Sequence, residues 1–281
     1  MIHLEKWKKD GSDILWFVTE KECSLALTLD CGQSFRFAPV DGNTFEGIAH
    51  GRILKMRQEA NAIRFFDMSE AEFSSVFAPY FDIDTDYTAL KDAFSSDETL
   101  KKAIACTEGI RVLKQDGFET LISFLISQNN NIPRIKKSIG LLCERFGKEL
   151  APGKFSFPDA QTLSKCTVED LAGLSLGYRD RYLIDAAKRV ANGELDLNAL
   201  ETLPLDEARA RIRTVMGVGP KVAECVLLFG FKRHACFPMD TWIKKIMAAY
   251  YPDGFPKAFA ETAGIAQQYL FHYARCFADF T

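Results

Sequence analysis

Lys221 and Asp240, nineteen residues apart, are the two side chains of this sequence whose types and spacing could together do covalent chemistry. An uncharged lysine amine attacks electrophilic carbon, and a carboxylate beside it can steady positive charge developing on that carbon or take a proton from the amine. At neutral pH a lysine is an ammonium unless its surroundings dictate otherwise. Burial and the positive end of a helix disfavour the ammonium whereas a neighbouring carboxylate favours it, so the two residues set opposed demands. Each also has a plainer reading: Lys221 as a solvated surface lysine, and Asp240, within Phe237-Pro238-Met239-Asp240-Thr241-Trp242, as a helix N-cap.

The elements that must position this pair are legible nearby. Residues 205–215 suit a helix with Ile212 and Val215 facing inward and Arg209, Arg211 and Arg213 mostly outward, and Met216-Gly217-Val218-Gly219-Pro220 ends it. The two glycines permit positive φ and close backbone approach. Pro220 fits the first position of a second helix, where its missing N–H costs nothing. Lys221 then lies in the first turn of that helix, and Cys225, four residues on, shares its face. Unpaired N–H groups behind a glycine, at the positive end of the peptide dipoles, suit a phosphate, so Gly217 and Gly219 form a candidate phosphate clamp.

Upstream, the pattern from 16 to 66 is strand-like. Leu25, Leu27 and Leu29 alternate with Ser24, Ala26 and Thr28. Asp41-Gly42-Asn43 and Ala49-His50-Gly51 read as turns between strands at 35–37, 44–48 and 53–57, with a last strand at 63–66 and a helix over 69–77. From about Tyr87 the period is helical and is expected to stay so to the end. A helix over 118–128 ends in Ser127-Gln128-Asn129-Asn130-Asn131, three asparagines that suit a capped loop or a polar contact surface, and Pro133 opens the next. Leu176-Gly177-Tyr178-Arg179 is a polar-aromatic turn before a helix over 182–190, and a last helix over 259–277 carries Gln267 and Phe271 one turn apart. The expected fold class is therefore α+β: an N-terminal antiparallel β-sheet domain over 1–86, then a mostly α-helical region over 87–281 with the hairpin at 205–231, which could pack as two helical subdomains.

A chain of 281 residues with 47% apolar composition can bury a sizeable core in one large or two ordinary domains. No apolar run reaches the roughly 18 residues of a membrane span, and residues 1–10 are too charged for a signal peptide, so no membrane and a cytoplasmic location are expected. The eight cysteines show no C-x-x-C and read as reduced thiols packed as small hydrophobes. A net charge of −3 excludes a protein that coats nucleic acid through bulk charge. Its distribution is uneven: residues 1–100 carry ten lysines and arginines against eighteen acidic residues, and 101–281 carry twenty-five against twenty. A polyanion should meet the C-terminal two thirds.

Gly-Val-Gly-Pro-Lys-Val-Ala-Glu-Cys at 217–225, with Pro-Met-Asp at 238–240, resembles the helix-hairpin-helix glycosylase superfamily, and the lysine resembles its bifunctional members, which cut the N-glycosidic bond and nick the strand. Further blocks make the chain similar to the 8-oxoguanine DNA glycosylase/lyases over about 29–271: Gly-Gln-Ser-Phe-Arg at 32–36, Ser-Gln-Asn-Asn-Asn-Ile-Pro-Arg-Ile at 127–135, Leu-Gly-Tyr-Arg at 176–179 and Ala-Gly-Ile-Ala-Gln-Gln-Tyr-Leu-Phe at 263–271. The resemblance implies Lys221 as the Schiff-base nucleophile and Asp240 as its partner carboxylate. It implies the Gly32 carbonyl as reader of the lesion, Gln267 on the Watson–Crick edge, and Phe271 and Cys225 around the flipped base. Asn129, Arg134, Tyr178 and Arg179 would fill the vacated gap and contact an opposite cytosine.

The partner implied is double-stranded DNA containing 8-oxoguanine, met by a monomer, at the nucleoid if the source is bacterial or archaeal. No cofactor is implied, only a structural ion on the backbone of Met216 and Val218. Many superfamily members carry a four-cysteine iron–sulfur loop that this sequence lacks, and Trp242 stands where many relatives have histidine. Two other readings stay open: a glycosylase for an alkylated base, and a non-catalytic module that grips phosphate with the hairpin.

Overall fold

Turn chemistry draws the sheet. In a computed structural model, which describes residues 6–277, six strands are laid down: β1 (Trp7–Asp10), β2 (Asp13–Phe17), β3 (Phe37–Pro39), β4 (Thr44–Ala49), β5 (Arg52–Glu59) and β6 (Ala62–Phe65). They form one sheet in the order β1-β2-β6-β5-β4-β3, with antiparallel registers such as Ile14 against Phe65 and Met56 against Phe65. The turn into β4 is fixed by Asp41, whose Oδ1 accepts from the amides of Asn43 at 3.1 Å and Thr44 at 2.8 Å. Strands β1 and β2 were not expected. Of the charged segment 1–10, residues 1–5 lie outside the described residues and the rest supplies β1.

The leucine alternation misleads, because Leu25–Asp30 is an α-helix and not a strand. Ser24 caps it by accepting from Leu27 N, and the buried residues are Leu25, Thr28 and Leu29, a helical spacing. Thr28 can be inside because its hydroxyl donates to Gly109 O at 3.1 Å and accepts from Arg111 N at 3.2 Å. A polar residue satisfied by distant backbone is invisible to a hydropathy pattern.

Contacts divide the chain into two compact units. The first consists of the described parts of Met1–Gly47, Leu54–Leu113 and Asp240–Thr281. Its core includes Ile14, Trp16, Met56, Ile63 and Phe65 from the sheet, with Phe65 edge-on to Phe73 at 5.1 Å and to Phe81 at 5.3 Å. The helix expected over 69–77 is present but mixed, with α-helical Glu70–Glu72, a π turn at Phe73–Phe77 and α-helical Ala78–Tyr80. Helices Tyr87–Phe94, Glu98–Thr107, Thr241–Tyr250 and Ala263–Cys276 also belong here, so the compact units cut the chain elsewhere than the expected change from sheet to helices at 86/87. The expected last helix divides into a 3-10 turn at Lys257–Thr262 and the α-helix Ala263–Cys276. Arg111, buried, donates Nε to Phe81 O at 3.0 Å and sits 4.0 Å from the Tyr87 ring centre, pinning the segment that follows.

The second unit holds Ile48–Ile53 and Lys114–Met239. Helix Gly117–Ser127, capped by Asp116, runs against helix Pro220–Phe231. Glycine permits that approach: a Cβ on Gly230 would lie 3.3 Å from Gly117 Cα, and one on Gly117 would strike the Phe231 ring at 2.5 Å. Helices Ile132–Phe146, Ala160–Ser164, Asp180–Ala191 and Leu205–Ile212 complete the helical set, and a two-stranded hairpin, β7 (Glu149–Ala151) with β8 (Lys154–Phe155), interrupts what was expected to be helix throughout. No helix among the described residues is long and apolar enough to cross a membrane.

Candidate active site

The hairpin forms where the sequence places it. Helix Leu205–Ile212 ends, the chain turns, and helix Pro220–Phe231 starts with Pro220 in its first turn and Gly219 as N-cap. The two glycines differ in their reasons. Gly217 has φ +83°, and a Cβ there would meet the Tyr182 ring at 2.4 Å. Gly219 has φ −84° and ψ 179°, an extended conformation open to any residue, and a Cβ would meet nothing within 4 Å. Of the two glycines read as permitting positive φ and close approach, Gly217 takes up the positive φ and has no room for a Cβ, while Gly219 is extended and leaves the helix start bare. With no side chain capping that start, the N–H groups of Lys221 and Val222 are presented to whatever approaches.

Asp185 anchors the turn, accepting from Met216 N at 2.8 Å while Arg189 Nε holds the same carboxylate at 3.0 and 3.2 Å. Met216 is exposed and Val218 buried, and among the described residues no three His, Cys, Asp or Glu side chains group to hold a metal.

Lys221 is half-buried, with Nζ 5.2 Å from the centre of the Phe124 ring. Phe124 is stacked on Phe229 at 5.4 Å with 14° between planes, so the lysine side chain rests on a fixed aromatic face. Cys225 lies one turn on, 3% exposed. Between them Glu224 accepts from Arg209 Nε at 2.6 Å and Nη2 at 3.2 Å and from Phe237 N at 2.7 Å. Arg209 therefore does not face outward as expected. It ties the two hairpin helices together, and the same carboxylate holds the segment that leads to Asp240.

The asparagine run divides its labour. Asn131 caps the next helix by accepting from Arg134 N at 3.0 Å, and Asn130 Nδ2 donates to Ile126 O at 3.1 Å. Asn129 is exposed with φ +45°, and its Nδ2 reaches the Tyr178 hydroxyl at 3.3 Å. Tyr178 is 51% exposed, its ring 4.5 Å from the Arg179 guanidinium and edge-on to Tyr182 at 5.7 Å. A cavity of about 500 Å³ opens beside it among Gly177, Arg181, Tyr182 and Met216.

Arg134 is exposed, with Nη2 3.4 Å from Ser175 O. Arg179, expected to contact a base, is buried: Nε donates to Gln128 O at 2.9 Å, Nη1 to Leu176 O at 2.9 Å and Nη2 to Asn129 O at 3.2 Å. In this structure it acts as the brace of the asparagine loop.

In the first unit Gly32 adopts φ +84°, between two buried neighbours. Gln33 Nε2 donates to Thr28 O at 2.9 Å and Arg111 O at 2.7 Å, and Cys31 Sγ lies 3.6 Å from Gln268 Oε1. Gln268 Nε2 in turn donates to Gln267 Oε1 at 2.7 Å. A continuous buried path thus joins the Gly32 turn to Gln267, two residues 235 positions apart in the chain. Phe271 is half-buried, with the Arg275 guanidinium 5.7 Å from its ring centre.

Asp240 is the N-cap of Thr241–Tyr250, its Oδ1 accepting from Ile243 N at 2.8 Å. The plain reading of this residue is therefore correct, and the cap also fixes how the carboxylate is held. Trp242, in place of histidine, has Lys245 Nζ 5.0 Å from its ring. Phe124, Gln268, Cys31 and Glu224 were not singled out for these contacts. Cys225 and Gln267 were adjacent signals for two of them, whereas Phe124 sits in an unbroken run of buried residues from Thr120 to Ile126 that does not set it apart.

Two glycine-joined helices with a lysine at the start of the second, followed by an aspartate-capped helix, define the helix-hairpin-helix class of DNA glycosylases. Residues 122–257 match the family described as HhH-GPD superfamily base excision DNA repair protein, and residues 16–121 match the 8-oxoguanine DNA glycosylase N-terminal domain. The chain is 30% identical to the N-glycosylase/DNA lyase OGG1 of Arabidopsis thaliana, across 91% of this chain and 79% of that protein. It is 29% identical to the N-glycosylase/DNA lyase of Saccharomyces cerevisiae, across 86% of this chain and 66% of the yeast protein. The 8-oxoguanine glycosylase/lyase of Clostridium acetobutylicum, solved with double-stranded DNA containing cytosine opposite 8-oxoguanine, superposes with a TM-score of 0.89 at 36% identity, covering 96% of this chain and 97% of that one. This chain belongs to the 8-oxoguanine DNA glycosylase/lyase family.

Proposed function

We propose that the protein is a bifunctional DNA repair glycosylase and AP lyase that excises 8-oxoguanine from duplex DNA, preferably opposite cytosine, as a monomer acting where the DNA is. The observation that carries this is Lys221 in the first turn of a helix whose start no side chain caps, its amine resting on Phe124. A module that only grips phosphate has no use for a half-buried amine on an aromatic face. An enzyme for alkylated bases, which are cationic in the nucleotide and so leave readily as neutral molecules, has little need of one.

Lys221 Nζ attacks C1′ of the extruded nucleotide. The N-glycosidic bond breaks, its electron pair leaving with the base, which takes up a proton. The resulting N,O-acetal at C1′ opens the sugar ring to a Schiff base; loss of a C2′ proton then expels the 3′ phosphate, and water returns the free lysine. Asp240 steadies positive charge on the sugar as the base departs. The Gly32 carbonyl accepts from N7–H of 8-oxoguanine, where guanine offers a lone pair, a difference of about 1–3 kcal/mol, or roughly ten- to hundredfold. Gln267 takes the Watson–Crick edge, and Phe271 and Cys225 flank the base. Asn129 and Tyr178 fill the gap in the duplex, Arg134 donates to the opposite cytosine and Arg179 supports that loop. The bare amides behind Gly217 and Gly219 take a backbone phosphate.

The test is borohydride trapping on duplex containing 8-oxoguanine opposite each of the four bases. The expected result is a covalent adduct, strongest opposite cytosine and lost in Lys221→Gln. No adduct, or one that survives that substitution, overturns the proposal.

A further inference from the structure

A hydrogen-bond relay from the Cys31 thiol through Gln268 to Gln267 runs through the buried interior of the first unit, beside a carboxamide that cannot turn round. Leu113 N donates to Gln33 Oε1 at 2.9 Å. A backbone amide is only ever a donor, so the Gln33 carboxamide must present oxygen to it and nitrogen to the other side. That nitrogen spends its two protons on Arg111 O at 2.7 Å and Thr28 O at 2.9 Å, and Cys31 Sγ packs against it at 3.2 Å. The thiol keeps its proton, because burial pushes Cys31 up to about 12. Two acceptors lie within its reach, Thr28 O at 3.4 Å and Gln268 Oε1 at 3.6 Å. Thr28 O already accepts from Gln33 Nε2 at 2.9 Å, so Gln268 is the acceptor that needs the proton. With its oxygen toward the thiol, Gln268 turns Nε2 to Gln267 and donates to Oε1 at 2.7 Å. Cys31, Gln33, Gln267 and Gln268 are all no more than 3% exposed, so no solvent competes for these groups.

The consequence falls on Gln267. A carboxamide is nearly symmetric in shape but carries an acceptor at one end and donors at the other. A glutamine free to rotate by half a turn can therefore pair with a guanine-type edge, O6 acceptor beside N1–H donor, or with an adenine-type edge, which has these reversed. We propose that Cys31 and Gln268 are positioning residues that hold the Gln267 carboxamide in one orientation and so make the site select 8-oxoguanine over 8-oxoadenine. This rests on the proposed function above and adds to it the device that reads position 6 of the purine.

The test is single-turnover excision from two duplexes, one with 8-oxoguanine and one with 8-oxoadenine, each opposite cytosine. Gln268→Met removes the donor to Gln267, and the preference for 8-oxoguanine should fall roughly tenfold or more, the worth of a misdirected buried hydrogen bond. Cys31→Ala should shift the ratio in the same direction, and Cys31→Ser, which restores a donor, should keep it near the wild-type value. A merely structural role would lower both rates in proportion and leave the ratio unchanged. That result overturns the inference, as does a Cys31→Ser ratio no better than that of Cys31→Ala. Should Gln268→Met fail to fold, the two Cys31 variants decide alone. A wild-type protein inactive on 8-oxoguanine overturns the proposed function and this inference with it, whereas a selective wild type with indifferent variants overturns the inference only.

Discussion

Lys221 Nζ stands 5.2 Å from the centre of the Phe124 ring, and that ring is itself clamped by Phe229. The aromatic face limits where the amine can go, which matters for a nucleophile that must meet C1′ within a narrow approach. Replacing Phe124 with leucine keeps apolar bulk and removes the flat face. The expected loss is about 0.5–1 kcal/mol of positioning, a two- to fivefold slower appearance of the trapped adduct with duplex affinity unchanged. Rapid-quench measurement of adduct formation checks it, and an unaltered rate would remove Phe124 from the account.

The hairpin glycines give a contrast that binding and stability separate. Gly217→Ala forces a side chain into φ +83° and into Tyr182, so it should destabilise the fold by about 1–2 kcal/mol or more. Gly219→Ala has neither problem inside the protein, so its unfolding midpoint should match the wild type while duplex affinity drops, because the new methyl group stands where a phosphate would approach. Chemical denaturation paired with a binding titration distinguishes the two.

Arg134 and Arg179 should part in the same way. Arg179→Ala removes donors from three loop carbonyls and should cost about 2–3 kcal/mol of stability, reducing activity with every opposite base. Arg134 is exposed, so Arg134→Ala should leave stability unchanged and lower the preference for cytosine roughly tenfold, as expected for the loss of one base-reading contact. Equal loss of base preference in both variants, with no loss of stability in Arg179→Ala, would make Arg179 a direct reader.

His272, next to Phe271 on helix Ala263–Cys276, is buried with Nδ1 lacking a hydrogen-bond partner, and burial lowers its pKa from the ordinary 6.5. A histidine that is neutral when folded and more basic when unfolded contributes stability that is fully present above the ordinary value and lost as pH falls through the folded one. Stability should decline below about pH 6.5, and His272→Leu should flatten that decline. Thermal melts across pH 5–8, a range chosen to bracket histidine titration, are the check.

Sequence alone determined what is local. Glycine and proline fixed the hairpin and put Lys221 in a helix's first turn, because φ preferences and missing N–H groups act over a few residues. Turn residues outlined most of the sheet, and the separated motif blocks carried the family. Only the tertiary structure decided which polar groups go inside. Thr28, Arg179, Gln33 and Gln268 are all buried, each satisfied by a partner beyond its own local element or by a relay that ends in one, and the leucine alternation at 25–29 became a helix for that reason. A hydrogen bond between groups far apart in the chain exists only once the chain has folded back on itself, and no pattern in either segment records it.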